Sequence, residues 1–474
     1  MMIKGLLVIS LVLTFGWGVC QGQPSADEVK VALLKSSAFF QEQVAVNGGY
    51  VYYASPDFSR RLGEGTATAT EVWVQAPGTP TVGMAYLSAY GATGDQLHLA
   101  GALAAGKALV YGQLESGGWR NSIDFDPAGP RVDRYRNGKG KGKNYSTLDD
   151  GITQEALTFL IRLDEVLNFE NQEIHEAVEY ALPRLLAAQF TNGAFPQVWL
   201  GPVNSPDEMP ASFPDYDWKT EGRIKEYWDQ YTLNDGLAGT VSKLLMEAHR
   251  VYKKPEYRGA LEKLGHFLML AQLPAPQRGW AQQYGPNMVP IWARAFEPPG
   301  VSGRESEDAM KTLLRIAHYT GDESFMAAVV SGVKYLESSL LPDGRLARYY
   351  EMQTNRPLYM ERKAKVYTPT FDDSNLPDHY GWKTDPELDS IKAGYRAATK
   401  GEDPDRVFDE VMTTEKVQAI LESLDFSGRW MSRYEGERLA GQPKFADGEV
   451  YINSGVFAGN TEYLSRYLKA FGRN

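Results

Sequence analysis

One turn recurs along this chain, and its spacing constrains the fold more than any other feature. Each copy carries a glycine and ends on a large apolar residue. "QLESGGW" ends at Trp119, "QFTNGAF" at Phe195, "PQRGW" at Trp280, "LPDGRL" at Leu346 and "DFSGRW" at Trp430. Consecutive copies stand 66–85 residues apart. Each interval has room for two helices and two loops. Open solenoid repeats are shorter and more uniform, so a closed ring of helical hairpins is the better reading.

The filling between the turns agrees. Residues 83–113 read as helix, "YGATGD", helix; residues 235–273 repeat this around "VYKKPE", and residues 306–341 around "HYTGD". After Asp235, apolar residues fall at Leu237, Val241, Leu244, Leu245, Ala248, Val251 and Tyr252, one face of a helix. Glycine or proline beside an acidic residue stops one helix and caps the next. Strand-like alternation is scarce; "YVYYA" and "EVWVQ" are expected to form short strands. The expected fold is all-α, an α/α toroid with long loops and minor short strands, formed by a single domain over residues 23–474. Loops that follow the repeated turns should gather at one end and form a cleft there.

The first 22 residues read differently. Lys4 precedes the apolar run Leu6–Phe15, and Cys20 and Gly22 are small residues ahead of Gln23. This is the pattern of a secretory signal and implies a secreted or periplasmic protein. Val19 is too bulky for lipoprotein processing at Cys20. Cys20 is the only cysteine, so the fold needs no disulfide and thiol chemistry is excluded.

Charge and motif absences narrow the function. The net charge is −11 and the pI about 5.3; a nucleic-acid binder would carry a basic face. No later segment is apolar enough to span a membrane, and a monomer is expected. The six histidines include no pair at helical spacing, which argues against a histidine zinc site. No G-x-S-x-G elbow and no G-x-G-x-x-G turn is present.

Three loop stretches carry candidate chemistry. "DQYTLNDG" sets Asn234 and Asp235 at a helix start, as ordinary caps or as ligands for a hard cation. "IWARAFEPPGVSGRES" holds Arg294, Glu297, Arg304 and Glu305, an ion-paired loop or a fork for sugar carboxylates. "ARYYEMQTNRPLYMERK" packs Arg356 and Arg362 among Tyr349, Tyr350, Asn355 and Tyr359. In that stretch arginines could grip acidic sugars while rings cover their apolar faces; solvated surface charge is the alternative. Asp149 and Asp150 of "STLDDG", with Asp235, are the carboxylates a glycoside hydrolase would need.

Read together, "NGGYVYYASPDFSRRLGEG", "ALVYGQLESGGW", "NYSTLDDGITQEA", "GAFPQ", "YTLNDG", "GWAQQYGPNMVPIWARAFEPP" and "YYEMQTNRPLY" resemble pectic acid lyases, the family-ten type of polysaccharide lyase. The likeness runs from about Asn47 to Tyr359. It implies an α/α toroid that cleaves polygalacturonate by β-elimination, with calcium and an arginine base. Carried over by motif, Asp235 would hold the metal. Asn234, Arg294, Asn355 and Tyr350 would contact substrate. Arg356 is the first choice for the base and Arg362 the second. Two departures stand out: Gly285 follows "QQY" where the family carries an aspartate, and "NRPLYMERK" lacks a glycine-rich continuation. A hydrolase on the same toroid, or a non-catalytic binder of acidic polysaccharide, are the alternatives.

Overall fold

The computed structural model describes residues 23–204, 208–221 and 223–471. The expected signal segment, residues 1–22, lies outside the described residues. Twelve helices of ten or more residues order the described chain: α1 (Ala26–Phe39), α2 (Thr79–Thr93), α3 (Gln96–Tyr111), α4 (Ile152–Val166), α5 (Gln172–Ala187), α6 (Leu237–Tyr252), α7 (Pro255–Ala271), α8 (Gly303–Thr320), α9 (Met326–Ser338), α10 (Leu388–Ala398), α11 (Thr414–Ser423) and α12 (Ser454–Phe471). None is long and apolar enough to cross a membrane.

The even-numbered helices form an inner row. α2 packs on α4, α4 on α6, α6 on α8 and α8 on α10, and α12 returns to pack on α2. Odd-numbered helices lie outside: α3 pairs with α2, α5 with α4, α7 with α6 and α9 with α8, while α1 packs on α12. The molecule is an α/α toroid. The periodicity read after Asp235 explains why α6 sits where it does: Leu237, Val241, Leu244, Leu245 and Ala248 are all buried, and burying one such face is what holds a helix in a layered core.

The repeated turn has a physical function. In three copies the indole Nε1–H donates to a carbonyl near the end of the preceding outer helix: Trp119 to Leu109 at 2.8 Å, Trp280 to Leu268 at 2.7 Å and Trp430 to Ile420 at 2.9 Å. Carbonyls at a helix C-terminus lack intrahelical partners. The buried ring therefore plugs the helix end and satisfies one of them. Glycine lets the chain double back: Gly193 has φ +91°, and a Cβ there would meet the Lys263 carbonyl oxygen at 2.0 Å.

Connections differ sharply at the two ends. Inner helices α2, α4, α6 and α8 lead to their outer partners through two to five residues, whereas every path from an outer helix to the next inner one is long. These long paths carry the short strands. "YVYYA" and "EVWVQ" yield Tyr53–Ala54 and Glu71–Trp73, as expected. The arginine- and tyrosine-rich stretch is not an open loop. Tyr349–Tyr350 and Pro357–Lys363 belong to a five-stranded sheet with Val366–Thr370, Val301–Ser302 and Trp280–Ala281.

One buried acid couples the fold to pH. Glu307 on α8 is 3% exposed and accepts the Glu387 N–H at 2.6 Å, tying α8 to the start of α10. Burial pushes its carboxyl up to about 7. The folded value exceeds the unfolded one, so the native state keeps a proton that the unfolded chain releases. Stability from this group is full below the unfolded range near 4.5 and is lost as pH rises through about 7. Glu307→Gln keeps the acceptor without the charge. It is expected to raise the melting temperature at pH 8 by the equivalent of about 1–3 kcal/mol and to leave it unchanged at pH 4.5. Melts followed by circular dichroism at both values check this; equal shifts would count against it.

Candidate active site

All six long paths meet over one mouth of the toroid and enclose a cleft of about 1170 Å³. The path into α2 contributes Glu64 and Gln75; that into α4, Arg120, Asp149 and Asp150; that into α6, Trp199, Trp228 and Asp235. The later paths supply Arg294, then His379 and Tyr380, then Arg438 and Gln442.

Two of these paths end in the same local structure. Leu148-Asp149-Asp150-Gly151 and Leu233-Asn234-Asp235-Gly236 each make one 3₁₀ turn before an inner helix. The third residue is left-handed in both, with φ +47° at Asp150 and +55° at Asp235, and glycine follows at +72° and +69°. Asp and Asn tolerate this region better than other side-chain-bearing residues. The matched turns bring Asp149, Asp150 and Asp235 together, with one oxygen from each within 4.8 Å of the others.

Support for the three carboxylates is uneven. Gln75 Nε2 donates to Asp150 Oδ2 at 2.8 Å and to Glu64 Oε1 at 3.0 Å. Asn234 Nδ2 donates to Asp235 Oδ2 at 2.8 Å. Asp149 Oδ2 faces Arg294 Nη2 at 3.5 Å, and its Oδ1 is buried with no partner among the described residues. Lost hydration, then the charges of Asp149, Asp235 and Glu64, push Asp150 up to about 7. Burial also raises Asp149, against the pull of Arg294.

Arg294 stands opposite. Its Nη1 lies 3.6 Å from Glu297 Oε1, and its Nε donates to the Tyr227 hydroxyl at 3.3 Å. Desolvation works to lower Arg294, but Glu297 and Asp149 outweigh it and hold the guanidinium charged. Burial lifts Glu297, 3% exposed, to about 7 despite Arg294. Tyr380 donates to Glu297 Oε1 at 3.3 Å and meets the Tyr349 hydroxyl at 2.8 Å. Arg348, paired with Glu305 at 2.8 Å, lies under the Tyr380 ring at 4.9 Å. Part of the arginine-rich stretch therefore serves the site from behind, through Arg348 and Tyr349.

Residues 113–346 match the pectic acid lyase family. Chemistry on polysaccharides by a lyase is the function class of this chain. The pectic acid lyase stretch contains Arg120, Asp149, Asp150, Asp235 and Arg294, the charged centre of the cleft. It excludes Glu64, Gln75, His379, Tyr380, Arg438 and Gln442, which complete the walls. Among solved structures, a mutant family 10 polysaccharide lyase from Cellvibrio cellulosa, in complex with trigalacturonic acid, is 19% identical at TM-score 0.46; the match covers 67% of this chain and 98% of that one. Cellobiose 2-epimerase from Spirochaeta thermophila is 14% identical at TM-score 0.48, covering 94% and 98%. No curated relative matches the chain.

The structure redistributes the residues singled out from the sequence. Asp235 and Arg294 line the cleft together. Asn234 does not reach it; 4% exposed, it orients Asp235 and accepts from Gln283 at 3.3 Å. Tyr350 is corrected from a sugar contact to a core residue. It is 1% exposed, and its hydroxyl donates to the Ser339 carbonyl at 2.7 Å. Asn355 is likewise spent in structure, accepting from the Tyr335 hydroxyl at 2.7 Å and donating to Ser339 Oγ at 2.9 Å. Arg356 lies outside the cleft lining, its guanidinium 3.5 Å from the centre of the Phe371 ring. Arg362 also lies outside that lining. It sits 5.5 Å from the centre of the Tyr367 ring, and Tyr367 bonds His379 Nε2 at 3.0 Å. Gly285 does not line the cleft, and a Cβ there would meet Asn287 Oδ1 at 3.0 Å.

Sequence reasoning weighed Asp149 and Asp150 only for hydrolysis and missed Arg438 entirely. The signal for the first two was the duplication of "TLDDG" in "TLNDG", both at inner-helix starts. Arg438 carried no comparable signal.

Proposed function

We propose that this protein cleaves polygalacturonate by β-elimination, with a calcium ion at Asp149, Asp150 and Asp235 and an arginine as base. The observation that carries the reading is the convergence of three carboxylates and Arg294 in the cleft, inside the stretch that matches pectic acid lyases. The donor set suits calcium: hard carboxylate oxygens, crowded enough to raise Asp150, with Asp149 Oδ1 buried and unpartnered. Without a cation, the acids lining this cleft would repel a uronate. Bound there, calcium would supply positive charge against the uronate carboxylate.

The chain's own residues account for the rest. Arg294 presents a charged fork to that carboxylate and stabilises the enolate-like charge that grows as C5 loses its proton. Breaking the C4–O bond leaves a C4–C5 double bond, and the departing oxygen takes up a proton. Arg294 is a poor base because two carboxylates keep it protonated. Arg362 is the candidate, since its hairpin packs through Tyr367 and His379 on the rim. Arg362→Ala is expected to lower kcat at least tenfold with KM within about threefold, measured on polygalacturonate; unchanged kcat would move the base elsewhere.

The test of the whole reading is incubation with polygalacturonate, with and without added calcium after chelation. Ultraviolet absorbance of a C4–C5 unsaturated uronate and products of unsaturated mass are expected only with calcium. Products carrying an added water would instead favour hydrolysis by the same carboxylates.

A further inference from the structure

The cleft is walled partly by chain outside the stretch that matches pectic acid lyases, and one of those walls carries an arginine with no carboxylate partner among the described residues. Strands Met431–Arg433 and Val450–Asn453 pair antiparallel, and the second also pairs with Tyr53–Ala54 near the other end of the chain. The loop between them, residues 434–449, is pinned at several points. Phe445 stacks on Tyr451 with ring centres 4.5 Å apart, and the Tyr53 hydroxyl donates to the Ala440 carbonyl at 3.3 Å. Gly441 packs so close to the 63–64 turn that a Cβ would lie 2.6 Å from the Gly63 oxygen. Arg438 and Gln442 project from this loop into the cleft lining.

The three cleft arginines differ in what already occupies them. Arg120 donates to both oxygens of Asp133, at 2.8 and 2.9 Å, and Arg294 faces Asp149 and Glu297. Arg438 is exposed and has no carboxylate partner among the described residues; its Nη2 donates to the His379 carbonyl at 3.1 Å. That bond fixes one edge of the fork and leaves the other donors for a ligand. In a cleft otherwise lined by Glu64, Asp149, Asp150, Asp229 and Asp235, a steered guanidinium is the group that can take a second anionic sugar without a second cation.

We infer that Arg438, with Gln442 of the same loop, forms an added subsite for the carboxylate of a uronate neighbouring the one held at Asp235 and Arg294. The inference rests on the polygalacturonate reading of the central cleft. It makes Arg438 a specificity-determining residue that binds chain without acting in bond cleavage.

The test compares wild type, Arg438→Ala and Arg438→Lys by kinetics on trigalacturonate and by electrophoresis through a gel containing polygalacturonate. Equal melting temperatures control for folding, which the exposure of Arg438 favours. Arg438→Ala is expected to raise KM for trigalacturonate about tenfold, with kcat within twofold, and to migrate faster than wild type through the gel. Arg438→Lys should fall between them, and the difference should shrink in 0.5 M salt. Unsaturated product with identical KM and mobility in all three proteins would overturn the subsite and leave the elimination reading standing. If wild type forms no unsaturated product, that reading fails, and the gel alone decides the subsite: retarded wild type with a freely running Arg438→Ala supports it, and equal mobility overturns it.

Discussion

Asp235→Asn should lower kcat/KM on polygalacturonate by about a thousandfold and raise the calcium concentration for half-maximal activity at least tenfold. Asparagine is the informative replacement because it tolerates the left-handed backbone at φ +55°. Alanine would add backbone strain to the loss of charge. The neighbouring Asn234 amide, which donates to Asp235 Oδ2, can still donate to the new amide oxygen, so the turn into α6 should persist. What disappears is one of three charged oxygens from a cluster whose members stand within 4.8 Å. Removing that charge also relieves Asp150, which Asp235 helps to push up to about 7. The variant should therefore melt no lower than wild type in chelator, and added calcium should not raise its melting temperature as the proposed site predicts for wild type. Retained calcium dependence at wild-type rates would sink the assignment of the metal to these carboxylates.

The second large effect is expected at Arg294. Arg294→Ala should reduce kcat/KM by about a thousandfold, chiefly through kcat, because the fork acts most on charge that develops in the transition state. Arg294→Lys should recover little, since a point charge cannot reproduce two parallel donors. The structural cost has a pH signature of its own. Glu297 would lose its cation while remaining 3% exposed, and a lone buried carboxylate takes up a proton instead of staying charged. The variant should melt close to wild type at pH 5 and clearly lower at pH 8. Activity assays with both substitutions, beside melts at the two pH values, separate the catalytic loss from the structural one. An alanine variant with wild-type kcat would remove Arg294 from the chemistry.

Architecture was legible because it rests on local signals repeated many times. Five turns ending at Trp119, Phe195, Trp280, Leu346 and Trp430 marked the hairpins, and the apolar stripe after Asp235 became the buried face of α6. Even the gathering of loops at one mouth followed from the alternation of short and long connections. The site was legible only where a side chain and its backbone setting occur together, as in "TLNDG". The stretch 347–363 was legible only in part, for a physical reason. Residue types there suit sugar binding, but short strands turn Tyr350 and Tyr359 inward, and Asn355 is absorbed by Ser339 and Tyr335. Arg348 of that stretch is 3% exposed and supports the cleft from behind, through Tyr380 and Glu305.

By itself, then, the sequence determined a ring of helical hairpins, its repeat and the likeness of its central stretch to pectic acid lyases, because helix periodicity and turn chemistry act over a few residues. Only the tertiary structure decided which charged groups share a cleft. Asp149 and Arg294 are separated by 145 positions in the chain, and Arg438 comes near them only because strands from opposite ends of the chain pair at Tyr53 and Asn453. Charges interact through space, and chain closure sets those distances.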